Sequence, residues 1–322
     1  MIKKFLYAVV AIIFITITSS YVLVYSNLKT LDANARSELG GLYLHTEQGV
    51  LSYTRDGSES APVVILVHGF STPKFVWEQI TPVLLAANYQ VITFDHLGRG
   101  FSDRPVGPYD ATLYRNELDQ LIDGLKLNTP LALVGYSMGG GNTVDYAAFR
   151  PEQVNNLVLI APAGYSKPPS SLNIMKLPLI GDWLALMVAR DYAGDAIKSE
   201  VEAGLAPSDM LDKFNQQASY AGYSEALLST LRHYPMHDLG ERYKIVGETD
   251  IPVTVIWGAD DESVPFSGIQ PMALDVPQLQ AFIFKNGTHN ITYTRADLVA
   301  EQILIGLQRS GSSHSYDVQT NE

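Results

Sequence analysis

The sequence contains no cysteine. That absence excludes disulfide bridges, thiolate nucleophiles, cysteine-held zinc and iron–sulfur clusters, and it is compatible with an oxidising compartment. Basic residues are scarce as well: 22 Lys+Arg stand against 34 Asp+Glu, a formal net charge of −12. Such a surface lacks the basic patches with which proteins track nucleic-acid phosphates. Neither a P-loop nor an H-E-x-x-H zinc motif occurs, and there is no internal repeat. The Gly98-x-Gly100 pair falls short of a dinucleotide fingerprint, because Asp103 stands where a third glycine is needed. Hydrophobic residues make up 46% of the chain and aromatics 10%, enough for a large core and too much for a mainly disordered protein. The 322 residues allow one large domain or two of ~150 residues.

The ends separate from the rest. After Lys3 and Lys4, residues 5–25 form an almost charge-free run of 21 residues, about 30 Å as a helix and so the thickness of bilayer hydrocarbon. Its β-branched residues suit lipid, where the backbone must pair internally. Residues 1–30 are expected to be a membrane anchor. A cleaved signal ending near Thr18-Ser19-Ser20 is the alternative, although Tyr21-Val22-Leu23-Val24 carries the apolar run past that point; a buried core helix is a third reading. Lysines ahead of the span favour a cytoplasmic N-terminus, which puts the remainder on the exported side, periplasmic or extracellular. Residues 310–322 are polar, lack periodicity and read as a disordered tail.

In between, residues 42–45 and 50–54 flank Gln48-Gly49 as an edge hairpin. Solidly apolar runs follow at 63–67, 91–94, 131–134, 157–160, 251–257 and 280–284. Continuous apolarity implies burial on both faces, as in a parallel sheet covered by helices. Helical stretches at 77–87, 113–125, 140–149 and 295–307 separate the runs. This alternation predicts an α/β doubly wound sheet, with ligands bound beyond the carboxyl ends of its strands. Residues 163–250 hold no strand signal, open near Pro168-Pro169 and include the apolar segment 174–188. A structureless loop of that length is improbable; a helical cap inserted between two parts of the core, 31–162 and 251–309, is expected, and plain extra helices on the sheet are the alternative.

The chemistry concentrates at Gly135-Tyr136-Ser137-Met138-Gly139, which joins the run 131–134 to a helix. G-x-S-x-G in that setting is a nucleophile elbow, whose flanking glycines let strand and helix approach while the serine hydroxyl is held exposed. A serine needs a base oriented by a third group. His289 follows the last run and is the expected base; Asp260, Asp261 and Glu262, beyond the run 251–257, all qualify as the acid. The oxyanion requires two N–H donors: the Met138 amide and, from the loop His68-Gly69-Phe70-Ser71, the Phe70 amide. His68 is expected to shape that loop, and residues 95–102 to form a tight turn beside the site. Pro235 between His233 and His237 spoils a helical metal site.

Taken together, His68-Gly69-Phe70, Asp95-x-x-Gly98-x-Gly100-x-Ser102, Gly135-x-Ser137-x-Gly139-Gly140, Gly258-x-x-Asp261-x-x-x-Pro265 and the late His289 resemble the α/β-hydrolase superfamily in kind and order, across roughly residues 40–308. The resemblance implies the α/β-hydrolase fold, a mostly parallel sheet with helices on both faces and a helical cap, and it selects Asp261 as the acid. One departure is that Thr288 stands between Gly287 and His289. Ser137 separates the chain from dehalogenases and epoxide hydrolases of this fold, which carry Asp at the elbow. With an anchor ahead of a capped domain, the chain looks most like membrane-associated monoacylglycerol lipases and carboxylesterases. It is thus expected to cleave carboxylic esters, acylglycerols or other lipid-like esters, through an acyl-enzyme on Ser137, with no cofactor, no metal and no nucleic-acid partner. A carbon–carbon bond hydrolase with the same serine is the alternative enzyme; a non-catalytic binding protein of the same shape is the alternative outside enzymes.

Overall fold

The computed structural model describes residues 2–310 and 317–321. The chain opens with α1 (Ile2–Ser26) and α2 (Ala33–Leu39). β1 (Leu42–Thr46) and β2 (Gly49–Asp56) then form the antiparallel hairpin, with Thr46 opposite Gly49. The turn is therefore Glu47-Gln48, one residue earlier than the glycine signal suggested. Strand and helix alternate through β3 (Val63–Val67), α3 (Thr81–Ala86), β4 (Gln90–Phe94), α4 (Ala111–Gly124), β5 (Leu131–Tyr136), α5 (Met138–Phe149) and β6 (Val154–Ile160). The helix expected over 77–87 is split. A 3₁₀ turn covers Lys74–Trp77 and α3 restarts with Pro82 in its first turn, where a missing N–H costs nothing.

Past β6 come a 3₁₀ turn at Ser170–Lys176 and the helices α6 (Ile180–Glu202), α7 (Met210–Ala218), α8 (Tyr223–His233) and α9 (Gly240–Gly247). The core resumes with β7 (Val253–Gly258), α10 (Ile269–Asp275), β8 (Leu279–Phe284), α11 (Ile291–Thr294) and α12 (Ala296–Leu307). β9 (Asp317–Asn321) pairs parallel to β8. Part of the tail expected to be disordered thus joins the sheet edge, where backbone hydrogen bonds suffice and an apolar sequence is not required; residues 311–316 and 322 lie outside the described residues.

The strands make one sheet in the order β1-β2-β4-β3-β5-β6-β7-β8-β9, parallel from β4 onward. β3, β4, β5 and β7 are buried at every position, because α3 and α12 cover one face while α4 and α5 cover the other. Winding outward from β3 to β4 and then back past it to β5 creates a switch point. The loops at the carboxyl ends of β3 and β5 meet there.

Beneath those loops lies a buried polar layer. His96 Nδ1 sits 2.7 Å from a Glu117 carboxyl oxygen, and both side chains are out of solvent. Burial disfavours charge on each partner, pushing Glu117 up to about 8 and His96 down to about 3. Near neutral pH the pair is therefore a carboxylic acid donating to a neutral imidazole, whose Nε2–H faces the His68 carbonyl at 3.2 Å. Glu117 ordinarily titrates at 4.5, so its contribution to stability is complete below that pH and is lost as pH rises through about 8. His96 works in the opposite sense: its contribution is complete above 6.5 and lost as pH falls toward 3.

Glu117→Gln keeps a neutral hydrogen-bonding side chain, so it should flatten the alkaline arm of the stability profile. Thermal unfolding followed by circular dichroism between roughly pH 6 and pH 9 should show a smaller fall in midpoint for the variant than for the native chain. Equal falls would mean that Glu117 is ionised in the folded protein.

Candidate active site

β5 runs directly into α5, and Ser137 occupies the junction with φ 55° and ψ −119°. A non-glycine residue in that region carries strain on the order of 1–3 kcal/mol, which the surroundings must impose. Ser137 N–H donates to the Ile160 carbonyl at 2.8 Å, and its own carbonyl accepts from Gly140 and Ala163, each at 3.0 Å. The glycines explain how the turn can be this tight. A Cβ on Gly135 would lie 2.5 Å from the Gly139 carbonyl oxygen, and one on Gly139 would lie 2.2 Å from that of Val67. Both obstacles are backbone. Ser137 is held at 9% exposure at the switch point.

Loops following β7 and β8 bring two more groups to the same place. Gly258 and Gly287 abut so closely that a Cβ on Gly258 would sit 2.2 Å from the Gly287 carbonyl oxygen, and Asp260 N–H donates to that oxygen at 2.9 Å. With the two loops locked together, Asp261 Oδ2 lies 2.8 Å from His289 Nδ1, and His289 Nε2 lies 3.0 Å from Ser137 Oγ. The other Asp261 oxygen accepts from the Ser263 and Val264 amides at 2.9 and 2.8 Å. Asp261 is therefore buried and fully engaged, whereas Asp260 and Glu262 point to solvent. The three side chains form one hydrogen-bonded row, carboxylate to imidazole to hydroxyl.

The loop after β3 sits against this row: a Cβ on Gly69 would come 3.2 Å from Ser137 Cβ. His68 is buried, and its Nε2 accepts from the His96 N–H at 2.9 Å. The ring proton is therefore on Nδ1, which donates to the Gly69 carbonyl at 2.8 Å. Burial and neighbouring His96 hold His68 well below the ordinary histidine value, so it stays neutral. In a trans peptide C=O and N–H point opposite ways; by pinning the Gly69 carbonyl, His68 turns the Phe70 N–H away from itself. Buried Arg99 pins the next carbonyl, Phe70 O, at 2.9 Å and stacks on the Phe70 ring at 5.4 Å. The second candidate donor, Met138 N–H, opens α5, and helix starts leave such groups without an intrahelical acceptor.

Residues 95–102 wrap around the Asp95 carboxylate, which accepts from Lys74 N at 2.9 Å, Lys74 Nζ at 2.6 Å and Phe101 N at 3.1 Å. Burial alone would raise that carboxyl, yet Lys74 brings it below its usual value. The segment is a structural turn. A cavity of about 450 Å³ beside it is lined by residues including Lys74, Asp95, Phe101 and Lys213, and by none of Ser137, Asp261 or His289. His237 meets Ser166 at 2.6 Å and His233 the Ser229 carbonyl at 2.8 Å. Among the described residues no group of histidine, aspartate and glutamate is placed to hold a metal ion.

Sequence reasoning missed four groups at or just beyond His289. Tyr136 donates to the His289 carbonyl at 3.2 Å, with its ring centroid 5.2 Å from the imidazole. Asn290 and Tyr293 both donate to Glu200 of α6, Tyr293 at 2.7 Å. Burial raises the Glu200 carboxyl, while those two donors and His289 oppose the rise. Glu200 lies about 90 residues from its partners, with no spacing to announce it.

Comparison with known proteins comes to the same architecture. The family model for the alpha/beta hydrolase fold matches residues 62–296. Human monoacylglycerol lipase ABHD6 is 26% identical over 81% of this chain and 80% of its own length. Among solved structures, a bromoperoxidase from Bacillus anthracis superposes with a TM-score of 0.71 at 21% identity, covering 84% of this chain and all of that one. A bacterial membrane phospholipase A superposes at 0.67 and 21% identity, covering 95% of this chain and 98% of its own.

Gly139→Ala should destabilise the protein by about 1–3 kcal/mol or more, since the added methyl meets unyielding backbone. Gly194→Ala is the control: its nearest neighbour, a Phe214 side-chain carbon, would be 3.4 Å away, and alanine favours the interior of α6. Urea unfolding midpoints should fall for the first variant and hold or rise for the second.

Proposed function

The chain belongs to the α/β-hydrolase fold family, and from that premise we propose that it is a serine hydrolase of carboxylic esters, with acylglycerols or similar lipid-like esters as substrates. His289 Nε2 accepts the Ser137 hydroxyl proton as Oγ attacks the ester carbonyl. Asp261 orients the ring and stabilises its cation. The Phe70 and Met138 amides receive the oxyanion, each worth about 3 kcal/mol in sites of this kind. The alcohol leaves with the proton held by His289, and water, deprotonated by the same nitrogen, releases the acid from Ser137.

The observation that carries this reading is the row from Asp261 through His289 to Ser137, at 2.8 and 3.0 Å, ending on a hydroxyl held in a strained turn. The lipid-like substrate draws its support from the apolar segment 174–188 within the inserted helices, which we read as a cap, and from the monoacylglycerol lipase among the relatives. Each methylene buried contributes about 0.8 kcal/mol, roughly fourfold in affinity. α1 is long and apolar enough to cross a membrane; we read it as an anchor with its lysine-bearing end in the cytoplasm and the hydrolase domain on the exported side.

A fluorophosphonate probe should label the native chain and not Ser137→Ala, and ester turnover should fall about four orders of magnitude or more in that variant. Failure of the native chain to label would leave the fold without serine chemistry. With p-nitrophenyl esters, kcat/KM should climb from acetate to medium chains by up to about fourfold per methylene. A preference for acetate would remove the acyl-chain part of the reading.

A further inference from the structure

The start of α6 and the turn before it bear an apolar surface that is exposed. From Leu172 to Ala189 the only charged residues are Lys176 and Asp182, and Asp182 is neutralised by Arg232, whose guanidinium reaches it at 2.9 and 3.2 Å. Leu177 is 49% exposed and Leu179 75%. Ile174, Ile180 and Val188 are exposed beside them. Helical spacing places Ile180, Leu184, Met187 and Val188 on the stripe that includes Trp183.

This surface adjoins α1 in a fixed geometry. Trp183 Nε1–H donates to Ser20 Oγ at 2.8 Å. Just past α1, Lys29 is stapled to the turn between α7 and α8: its N–H donates to Ser219 O at 2.9 Å and its carbonyl accepts from Ala221 N–H at 2.8 Å. Farther on, Arg36 of α2 donates to Phe101 O and pairs with Asp103. No flexible tether separates α1 from the folded body. Ser20 lies five residues inside the apolar run that ends at Tyr25, about 8 Å along the helix axis. If α1 crosses a bilayer, Trp183 sits below the level at which α1 leaves it.

We propose that the corner formed by residues 174–188 is a lipid-binding surface, seated in the headgroup-proximal part of the leaflet from which the C-terminal end of α1 emerges. The inference rests on the anchor reading of α1. Tryptophan suits the boundary between headgroups and acyl chains, and Lys176 can extend its ammonium back to water. α6 is 23 residues long, about 35 Å, and its far end carries Glu200, bonded to the residues that flank His289. One helix thus links the proposed membrane surface to the loop and short helix that follow the candidate base.

The test uses the full chain in phosphatidylcholine vesicles whose acyl chains carry bromine at a shallow or a deep position. Trp77 and Trp257 are fully buried, so quenching reports on Trp183, one tryptophan of three. Shallow bromine should quench that share of the emission and deep bromine less of it, and Trp183→Phe should lose the quenchable part. Leu179→Glu, which changes a side chain that is 75% exposed, should weaken quenching and shift the emission to the red. Protein that floats with the vesicles and resists alkaline extraction yet is not quenched would overturn the proposal and leave the anchor intact. Cross-linking of two copies through α6 in place of quenching would assign the surface to a second chain and overturn it equally. Protein that fails to float would refute the anchor reading and this inference with it, while labelling of Ser137 would stand independently.

Discussion

Backbone contact between the end of β5 and the first turn of α5 is the constraint on which the rest of the site depends. Two planes of main chain meet there with no side chain between them, because Gly135 has none, and Gly139 in turn lets the Val67 and His68 carbonyls lie against the same turn. The contact forces Ser137 to a positive φ and lifts its hydroxyl clear of the sheet. Hydrogen bonds from its peptide groups to Ile160 and Ala163 hold the turn there. Strain at one residue is tolerable because the burial of the surrounding strands outweighs it.

A second glycine contact does the same for the other half of the row. Gly258 and Gly287 touch backbone to backbone, so the loops that end β7 and β8 behave as one unit, and Asp261 meets His289 within it. This also accounts for the spacing around His289. Gly287 is needed two residues ahead of the histidine for the contact with β7, and Thr288 is simply the residue between. The polar layer under the sheet edge completes the frame. His68, His96 and Glu117 are neutral hydrogen-bonding parts that set the direction of one peptide, whereas Arg99 is a buried cation carried by carbonyls, hydroxyls and aromatic faces.

Much of this was legible in the chain. Parallel strands buried on both faces have no polar side, so the runs at 63–67 and 131–134 stood out without ambiguity. The glycine pattern around Ser137 has few other physical explanations. Legibility failed where side chains stop mattering or where distance intervenes. β9 pairs through its backbone at a sheet edge, so its polar residues resembled a tail. The hairpin turn lies at 47–48 because Gly49 pairs with Thr46 and does not cap the bend. The helix expected from Trp77 breaks before Pro82, a boundary that periodicity blurs.

Local rules determined the order of strands and helices, the sharp turn at Ser137 and the types of residue around it, since each follows from a few neighbouring side chains and their backbone preferences. The choice of Asp261 among three adjacent acids came first from family resemblance, and only the fold gives its physical reason: the loop amides of Ser263 and Val264 bind one of its oxygens and leave the other for His289. Glu200 beside the histidine loop and Trp183 against α1 belong to tertiary structure alone. Contacts between residues about 90 and 163 positions apart leave no periodic trace in a sequence, because nothing local requires them.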